Sequence, residues 1–365
     1  MNHSGAIASS ETWYAADNPH HITSNLVLNS STIVTIEAGC AIYFDGNYYV
    51  RPDWETAWCN FNGTAENPIL VTYNQGSPAK GDWEYWSMSN LGTVTYTTFE
   101  YGGSDPTNQH GMVTDIYIID HCTFRYSDFH AIYDYDKSPY DRSITNCIFY
   151  SNDNGAYNAV KTDSGNTITF QNNLCVGGSY GIFLGEDFDG DNDGATNIYN
   201  NTFYGMWRGI SAYRFDGTGA IRIKNNIFQG CTNMAINESL GSPTPTYIID
   251  YNCYYDNVDD VFGVSKGANA VNDNPLLAEA SPGTDEDDYR LQSIGGRWTG
   301  SEWTKDVASS PCIDTGDPAF DYSNEPSPNG GRINIGFDGN TTYASKAVGE
   351  GSSAYEYYYR YLMST

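Results

Sequence analysis

The chain has 365 residues, long for a single globular core, so either two domains or a solenoid is expected. Acidic residues outnumber basic ones by 45 to 17, and the formal charge of −28 argues against nucleic acid and anionic membrane surfaces as partners. Aromatic residues make up 15% of the chain and 37 glycines punctuate it. This composition disfavours disorder and favours many short strands joined by turns.

Two further features of the whole chain narrow the class. No run of about 18 apolar residues occurs, so membrane insertion is not expected. The 8 cysteines show no CxxC spacing, which gives a zinc site little support. They are either buried thiols or occasional disulfides, and their spacing does not decide between the two.

From residue 95 onward, one local pattern recurs and ends each time in an anchor residue. The anchors are Phe99, Phe124, Phe149, Cys175, Phe203, Phe228 and Tyr254, at successive intervals of 25, 25, 26, 28, 25 and 26 residues. Chance does not readily produce such intervals, so the repeat is treated as real. A unit of this length with short β-rich runs cannot bury its own apolar face, but coils stacked about 4.8 Å apart can. The repeat therefore predicts an all-β fold, a parallel β-helix.

Asparagines precede four of the anchors, at Asn173, Asn201, Asn226 and Asn252. Asparagine tolerates left-handed backbone, and its side-chain amides can form ladders. We expect this column to stack at a tight turn and to be structural.

A column of charged residues follows from superposing the units. Each unit carries a small residue followed by an apolar one, at Ala131-Ile132, Ala156-Tyr157, Gly181-Ile182, Gly209-Ile210 and Ala235-Ile236. In the first four units, a charged residue follows four positions after the apolar member of the pair: Asp136, Lys161, Glu186 and Arg214. Two further acidic residues, Asp134 and Glu238, follow two positions after the apolar member in the first and the fifth unit. These side chains are predicted to form one strip. They are either a salt-bridge ladder on an exposed face or a catalytic site.

As a catalytic site, the strip fits carboxylate chemistry. Asp136 and Glu186 would be two rungs apart, about 9–10 Å between backbones, which suits the acid and base of an inverting glycoside hydrolase. Lys161 would keep the base ionised, and a carboxyl crowded by Asp187 or Glu186 would stay protonated as the acid. The alternative is a lyase, in which Lys161, Arg214 or His130 removes a proton beside a neutralised sugar carboxylate.

The acidic stretch GEDFDGDNDG, residues 185–194, falls in the one interval that is 28 residues long. It is therefore expected to be an enlarged loop beside the strip. Asp189, Asp191 and Asp193 match the first half of a calcium loop, but the twelfth position is Asn200 instead of a bidentate glutamate. The stretch is either a Ca²⁺ site or a solvated acidic turn.

Aromatic residues accompany the charged strip. Trp207 and Tyr213 lie near Arg214 in sequence, Tyr133 and Tyr135 alternate with the aspartates, and His130 lies just ahead. These five residues are predicted to bind substrate by stacking on sugar rings, and the alternative is packing within the β-helix.

The chain resembles the right-handed parallel β-helix proteins of the pectate-lyase-like superfamily. The resemblance rests on VTIEAGCAIYF and GTAENPILVTYNQGSPAKGDW near the start, and on DDYRLQSIGGRW, SPCIDTGDP and EPSPNGGRINIGFDGNTTYAS in the tail. It implies coils of about 25 residues with N- and C-terminal caps. It also places Trp83 and Trp86 in an early strand, as structural residues.

One structural unit is expected, in two parts. Residues 1–280 form the β-helix with its N-terminal cap, and residues 281–365 form a C-terminal segment that covers the last coil. A solenoid needs such a cover, because an open edge would recruit other strands.

The superfamily hosts lyases, hydrolases, epimerases and adhesins, so the fold alone does not set the chemistry. The archaeal disaggregatases, which degrade a cell-wall heteropolysaccharide, are one group that the chain resembles. We expect a secreted or cell-surface enzyme that hydrolyses an acidic heteropolysaccharide. A calcium-assisted uronate lyase and a non-catalytic carbohydrate-binding adhesin remain alternatives, and the sequence does not decide the oligomeric state.

Overall fold

The structure is a computed structural model of the full chain, and it describes residues 1–54, 56–89, 91–104, 111–134, 140–150, 152, 160–162, 167–184, 195–213, 219–239, 246–280 and 287–349. These residues form 34 strands and a single 3-10 helix, Ala15–Asp17. The early strands are β1 Asn2–Ile7, β2 Glu11–Trp13, β3 His20–Leu28, β4 Ile33–Glu37, β5 Ala41–Phe44, β6 Val50–Pro52, β7 Trp58–Asn62, β8 Ile69–Tyr73, β9 Trp86–Ser87, β10 Thr93–Thr95 and β11 Thr97–Glu100.

The central strands are β12 Gly111–Thr114, β13 Ile118–Asp120, β14 Thr123–Arg125, β15 His130–Asp134, β16 Arg142–Thr145, β17 Ile148–Tyr150, β18 Val160–Thr162, β19 Ile168–Gln171, β20 Leu174–Val176, β21 Tyr180–Leu184, β22 Thr196–Tyr199, β23 Thr202–Tyr204 and β24 Arg208–Tyr213. The late strands are β25 Ala220–Lys224, β26 Ile227–Gln229, β27 Met234–Ser239, β28 Thr246–Asp250, β29 Cys253–Tyr255, β30 Asp259–Phe262, β31 Leu277–Glu279, β32 Asp288–Leu291, β33 Arg297–Trp298 and β34 Trp303–Thr304.

Successive coils pair in parallel, so the predicted β-solenoid is confirmed. Sheet 1 contains β6, β9, β12, β15, β18, β21, β24, β27 and β30. Sheet 2 is the 10-stranded sheet from β2 to β28, and sheet 3 contains β5, β8, β11, β14, β17, β20, β23, β26 and β29. The long strand β3 pairs with both β5 and β6, which joins sheets 1 and 3 at the first coils. Each later coil runs from sheet 1 through sheet 2 to sheet 3.

The anchor residues form one column inside sheet 3. Each pairs in register with the next, from Phe99 with Phe124 to Phe228 with Tyr254. Ring centroids are 5.4 Å apart for Phe99–Phe124, 5.2 Å for Phe124–Phe149, 5.0 Å for Phe203–Phe228 and 5.4 Å for Phe228–Tyr254. Each such stacked pair is worth about 0.5–1.5 kcal/mol beyond the area that it buries. The predicted repeat is therefore the packing period of the core.

The column has one gap, at Cys175, where the chain lacks an aromatic anchor. Phe170, from the neighbouring strand of sheet 2, supplies the missing ring. Its centroid lies 5.8 Å from that of Phe149 and 6.4 Å from that of Phe203. The aromatic core thus continues through this coil although the anchor is small.

The predicted asparagine ladder is confirmed, with one change in its placement. Asn173, Asn201, Asn226 and Asn252 are fully buried and linked by side-chain amide bonds of 3.1, 2.9 and 2.9 Å. The left-handed residue is instead the one before each ladder asparagine, such as Asn172 with φ 56° and Asn200 with φ 51°. The ladder side chains face inward because the preceding residue makes the turn.

The start of the chain is already part of the solenoid. Strands β1 and β2 pair in parallel with β3 and β4, so the first coil has the same parallel pairing as the later coils. The rings of His3 and Trp13 stack 3.8 Å apart and lie with His20 over the apolar interior. These buried rings close the first coil.

The burial of tryptophan and cysteine side chains tests two further expectations. Trp83 and Trp86 are fully buried, as the resemblance implied. All 8 cysteines are buried free thiols, which decides between the two alternatives left open by their spacing. Within the ranges given above, no helical segment has the length and apolar character that a bilayer crossing requires.

The C-terminal segment extends well beyond the last coil. Leu277, Tyr289 and Leu291 form a second apolar cluster with Tyr150, Val176 and other side chains on the outside of sheet 3. Asn172 Nδ2 donates to the carbonyls of Phe337 and Gly339 at 2.8 and 2.7 Å. The segment therefore packs along the outside of sheet 3 and the adjacent turn.

Buried carboxyls lie inside this segment. Burial raises the pKa of Glu325 to about 7, against the effect of backbone N–H bonds from Asn334 and Asn340 to its carboxylate. Burial likewise raises the pKa of Asp338 to about 6, although Arg290 Nε lies 3.1 Å from Asp338 Oδ2. Both groups hold a proton more tightly in the folded chain than in the unfolded chain. Their contribution to stability is therefore greatest in acid and is lost as the pH rises through 6–7.

The asparagine ladder gives the first prediction. Replacing Asn201 by Ala removes the acceptor of the Asn173 backbone N–H and the donor to the Phe170 carbonyl, both buried. At about 1–3 kcal/mol per orphaned group, the free energy of unfolding should fall by about 2–5 kcal/mol. Denaturant titration measures this fall, and Asn197→Ala on the half-buried outer side of sheet 2 is the matched control. Equal effects of the two variants would contradict a role for the ladder.

The second prediction concerns pH. The free energy of unfolding of the unmodified chain should fall between pH 5 and pH 8, by about 2–3 kcal/mol from Glu325. Glu325→Gln should remove most of this dependence, because the amide does not titrate. Urea titrations at several pH values measure it, with Asp321→Asn, an exposed aspartate, as the control. A Gln variant that retains the full pH dependence would refute this assignment.

Candidate functional site

The connections that run from sheet 1 strands to sheet 2 strands differ widely in length. Strand β21 ends at Leu184 and the next strand of sheet 2 begins at Thr196, whereas the turn from Tyr199 to Thr202 is among the shortest. The acidic stretch 185–194 belongs to the longest of these connections, as its spacing predicted. The outside of sheet 3 is covered by the C-terminal segment, through Leu277, Tyr289 and Leu291.

The register of sheet 1 aligns one column of residues from successive coils, and Tyr133, Phe183, Ser211 and Asn237 in this column are buried. Tyr133 pairs with Lys161, Lys161 with Phe183, Phe183 with Ser211, and Ser211 with Asn237. A second column, three residues earlier in these strands, contains Tyr180, Arg208 and Met234. Residues from different coils thus become neighbours about 4.8 Å apart.

A cluster of one cation and two aromatic rings lies at the start of strands β21 and β24. The guanidinium of Arg208 lies 4.2 Å from the ring centroid of Trp207, and the ring of Tyr180 meets Trp207 edge-on at 5.2 Å. Arg208 Nε donates to Asn233 Oδ1 at 2.8 Å, and its Nη1 lies 3.5 Å from Ser211 Oγ. Trp207 is 39% exposed, so part of its ring faces solvent.

This cluster has the chemistry of a sugar-binding platform. The indole offers an apolar face to a pyranose ring, and the guanidinium offers paired N–H donors to a carboxylate. The polar partners of Arg208 in the described part of the chain are the neutral side chains of Asn233 and Ser211. Its positive charge stands out in a chain with a formal charge of −28.

Small residues beneath the cluster fix the register. A Cβ on Gly181 would lie 2.3 Å from the Phe203 ring, and one on Gly209 would lie 2.6 Å from the Phe228 ring. The small member of each predicted pair is therefore required by the aromatic column. This confirms the pairs at Ala131, Gly181, Gly209 and Ala235.

One predicted pair is wrong, and the position of Lys161 in the charged column is wrong with it. Val160, and not Tyr157, pairs with Ile132 and Ile182. The connection from Tyr150 to Val160 is longer than that from Val176 to Tyr180, so the extra residues precede the strand. Lys161 consequently lies beside Tyr133 and Phe183, three positions earlier in its coil than the column required.

Asp134 and Glu238 do share a column, as predicted. The register runs from Asp134 through Thr162, Leu184 and Ala212 to Glu238. Four rungs separate the two carboxyl residues, about 19 Å, which is too far for one acid–base pair. Glu238 is 4% exposed, and burial raises the pKa of its carboxyl.

His130 and Tyr133 are packed together. Their rings stack 5.2 Å apart, and they are 1% and 5% exposed. The structure therefore brings these two predicted substrate-binding residues together beneath the surface, whereas Trp207 reaches solvent.

The remaining predicted residues are placed only in part. Tyr213 belongs to β24 by its backbone. Tyr135, Asp136, Glu186, Asp187, Asp189, Asp191, Asp193 and Arg214 lie outside the described residues. Their roles, including the Ca²⁺ site, remain predictions. Within the described ranges, no group of three His, Cys, Asp or Glu side chains is arranged to hold a metal ion.

Sequence reasoning missed Arg208, Tyr180 and Asn233. Arg208 adjoins Trp207, which the sequence did single out, so the cation beside an aromatic was a readable signal. The contributions of Tyr180 and Asn233 come from neighbouring coils and follow only from the exact register.

Comparison with known families gives one match. A family model described as "Disaggregatase related" matches residues 235–316, which include the last coils and the start of the C-terminal segment. Searches of curated proteins and of solved structures found no match. The match covers less than half of the chain, so it shows that this part is similar to disaggregatase-related proteins, and it is consistent with a polysaccharide-related β-helix.

Proposed function

We propose that the chain binds an acidic heteropolysaccharide along the outer face of sheet 1 and hydrolyses its glycosidic bonds. The observation that carries the proposal is the cluster of Trp207, Arg208 and Tyr180. A secreted or cell-surface location is part of the same proposal, because an intact polysaccharide is met there.

The cluster favours an acidic sugar unit. A uronate presents both an apolar ring face and a carboxylate, and Trp207 and Arg208 offer the two matching groups side by side. The bond from Arg208 Nε to Asn233 orients the guanidinium before a ligand arrives. Such preorganisation lowers the entropic cost of binding.

The shape of the face favours a polymer. Rungs of sheet 1 repeat about every 4.8 Å along the solenoid, so an extended chain laid along the axis meets equivalent positions in successive coils. Sheet 3 offers no such path where the C-terminal segment packs on it.

Hydrolysis is proposed from the carboxylates that follow the strand ends. Asp136 comes two residues after Asp134, and Glu186 comes two residues after Leu184. Asp134 and Leu184 share one register column and are two rungs apart. A backbone separation of about 10 Å suits an acid and a base on either side of one glycosidic bond. The disaggregatase-related match is consistent with polysaccharide breakdown.

The third prediction tests binding. Trp207→Ala and Arg208→Gln should each weaken the binding of oligogalacturonate about tenfold or more, because each removes one of two matched groups. Isothermal titration calorimetry measures this effect. Trp303→Ala is the matched control, since Trp303 also lies under a cation, Lys346, but on the C-terminal segment. Unchanged affinity in both sheet 1 variants would rule out this binding face.

The fourth prediction tests catalysis. Asp136→Asn and Glu186→Gln should each lower turnover of an acidic polysaccharide by about 10³-fold or more, while oligogalacturonate affinity changes little. Reducing-end assays measure the turnover, with and without a chelator. Hydrolysis by carboxylates should persist in the chelator and give saturated products. Products that absorb in the ultraviolet as unsaturated uronates would identify a lyase, and an absence of products a non-catalytic binder.

A further inference from the structure

We propose a second sugar-binding subsite, in a cleft at the start of the same face, which takes a neutral pyranose unit. The cleft has a volume of about 620 Å³, within the usual range for small-ligand sites. The residues that carry the argument are Arg51, Asp53, Trp54, Tyr85, Ser89 and Asp115, all of which line it. None of them belongs to the cluster around Trp207.

The aromatic side of the cleft is both exposed and supported. Trp54 is 67% exposed, so its indole is available to a ring from solution. Nearby, the rings of Tyr49 and Tyr85 stack 5.4 Å apart, and the guanidinium of Arg51 lies 5.4 Å from the Tyr49 centroid. An exposed tryptophan beside such a rigid stack is a suitable platform for a sugar ring.

The polar side of the cleft contains an unsatisfied hydroxyl. Ser89 is 5% exposed, and its Oγ has no hydrogen-bond partner in the described part of the chain. A buried hydroxyl without a partner is unfavourable. Asp115 lies on the same lining and is held in place, since Ser87 Oγ and Thr114 Oγ1 donate to its Oδ2 at 2.7 and 2.9 Å.

The charges of the lining select against an acidic ligand. Arg51 supplies one positive charge, whereas Asp53 and Asp115 supply two negative ones. A uronate carboxylate would meet net repulsion, but the hydroxyls of a neutral sugar can donate to these carboxylates. The Trp207 cluster offers the opposite preference, because Arg208 is its charged group. The two sites therefore favour different units of one heteropolymer.

The two sites lie at opposite ends of the sheet 1 strands, since Trp54 follows β6 whereas Trp207 precedes β24. The register runs from Ser87 through Thr114, Tyr133, Lys161 and Phe183 to Ser211, five rungs and about 24 Å. An extended oligosaccharide of several units spans that distance. The joint use of both sites by one chain rests on the proposed function, but binding of a short neutral sugar to the cleft does not.

Calorimetry with the full chain tests the subsite. The probes are neutral hexasaccharides of glucose, galactose and mannose, with oligogalacturonate as the acidic comparison. At least one neutral probe should bind, and Trp54→Ala should weaken it about tenfold. Trp303→Ala should leave it unchanged, and Trp54→Ala should leave oligogalacturonate affinity unchanged.

The outcomes separate this proposal from the preceding one. If no neutral probe binds the unmodified chain at millimolar concentration, or if Trp54→Ala leaves neutral binding intact, the subsite is wrong while acidic binding at Trp207 still stands. If neutral binding depends on Trp54 but oligogalacturonate binding does not depend on Trp207 or Arg208, the subsite stands and the proposed acidic site is wrong. Loss of neutral binding in Trp207→Ala but not in Trp54→Ala overturns the assignment of the cleft.

Discussion

The structure depends on the vertical register between coils, which the interior ladders hold. Amide bonds from Asn173 to Asn252 fix one corner, and stacked rings from Phe99 to Tyr254 fix the adjacent sheet. A slip of one residue would turn inward-facing side chains outward along the whole strand. Arg208 bonds to Asn233 of the next coil and Trp207 meets Tyr180 of the preceding coil, so these contacts depend on the stacking that the buried columns set.

The C-terminal segment decides which side of the solenoid is available for function. Sheet 3 packs against Leu277, Tyr289 and Leu291, so its outer face is part of a second core. Side chains beside the ends of the sheet 1 strands stay exposed, such as Trp54 and Trp207. The cluster at Trp207 and the cleft at Trp54 both adjoin this sheet.

Much of the fold was readable from the sequence because its packing is periodic. The anchors, the small residues at Gly181 and Gly209 and the ladder asparagines all recur at the coil interval. The site was less readable, because insertions break that periodicity. Additional residues before Val160 move Lys161 out of its expected column. The interval between anchors does not reveal them, because the rest of this coil is shorter by a similar number of residues. Arg208 was missed because its significance comes from Asn233 in the next coil.

The replacement of an aromatic anchor by Cys175 has a consequence for how such a scaffold diversifies. Phe170 reaches across from sheet 2 and lies between the rings of Phe149 and Phe203. The same coil carries the longest connection from sheet 1 to sheet 2, between Leu184 and Thr196. Phe170 thus fills the core of this coil, and it lies outside the connection between Leu184 and Thr196. Insertions there need not be matched by compensating changes in the interior, so the periphery is free to vary while the supporting cylinder keeps its diameter.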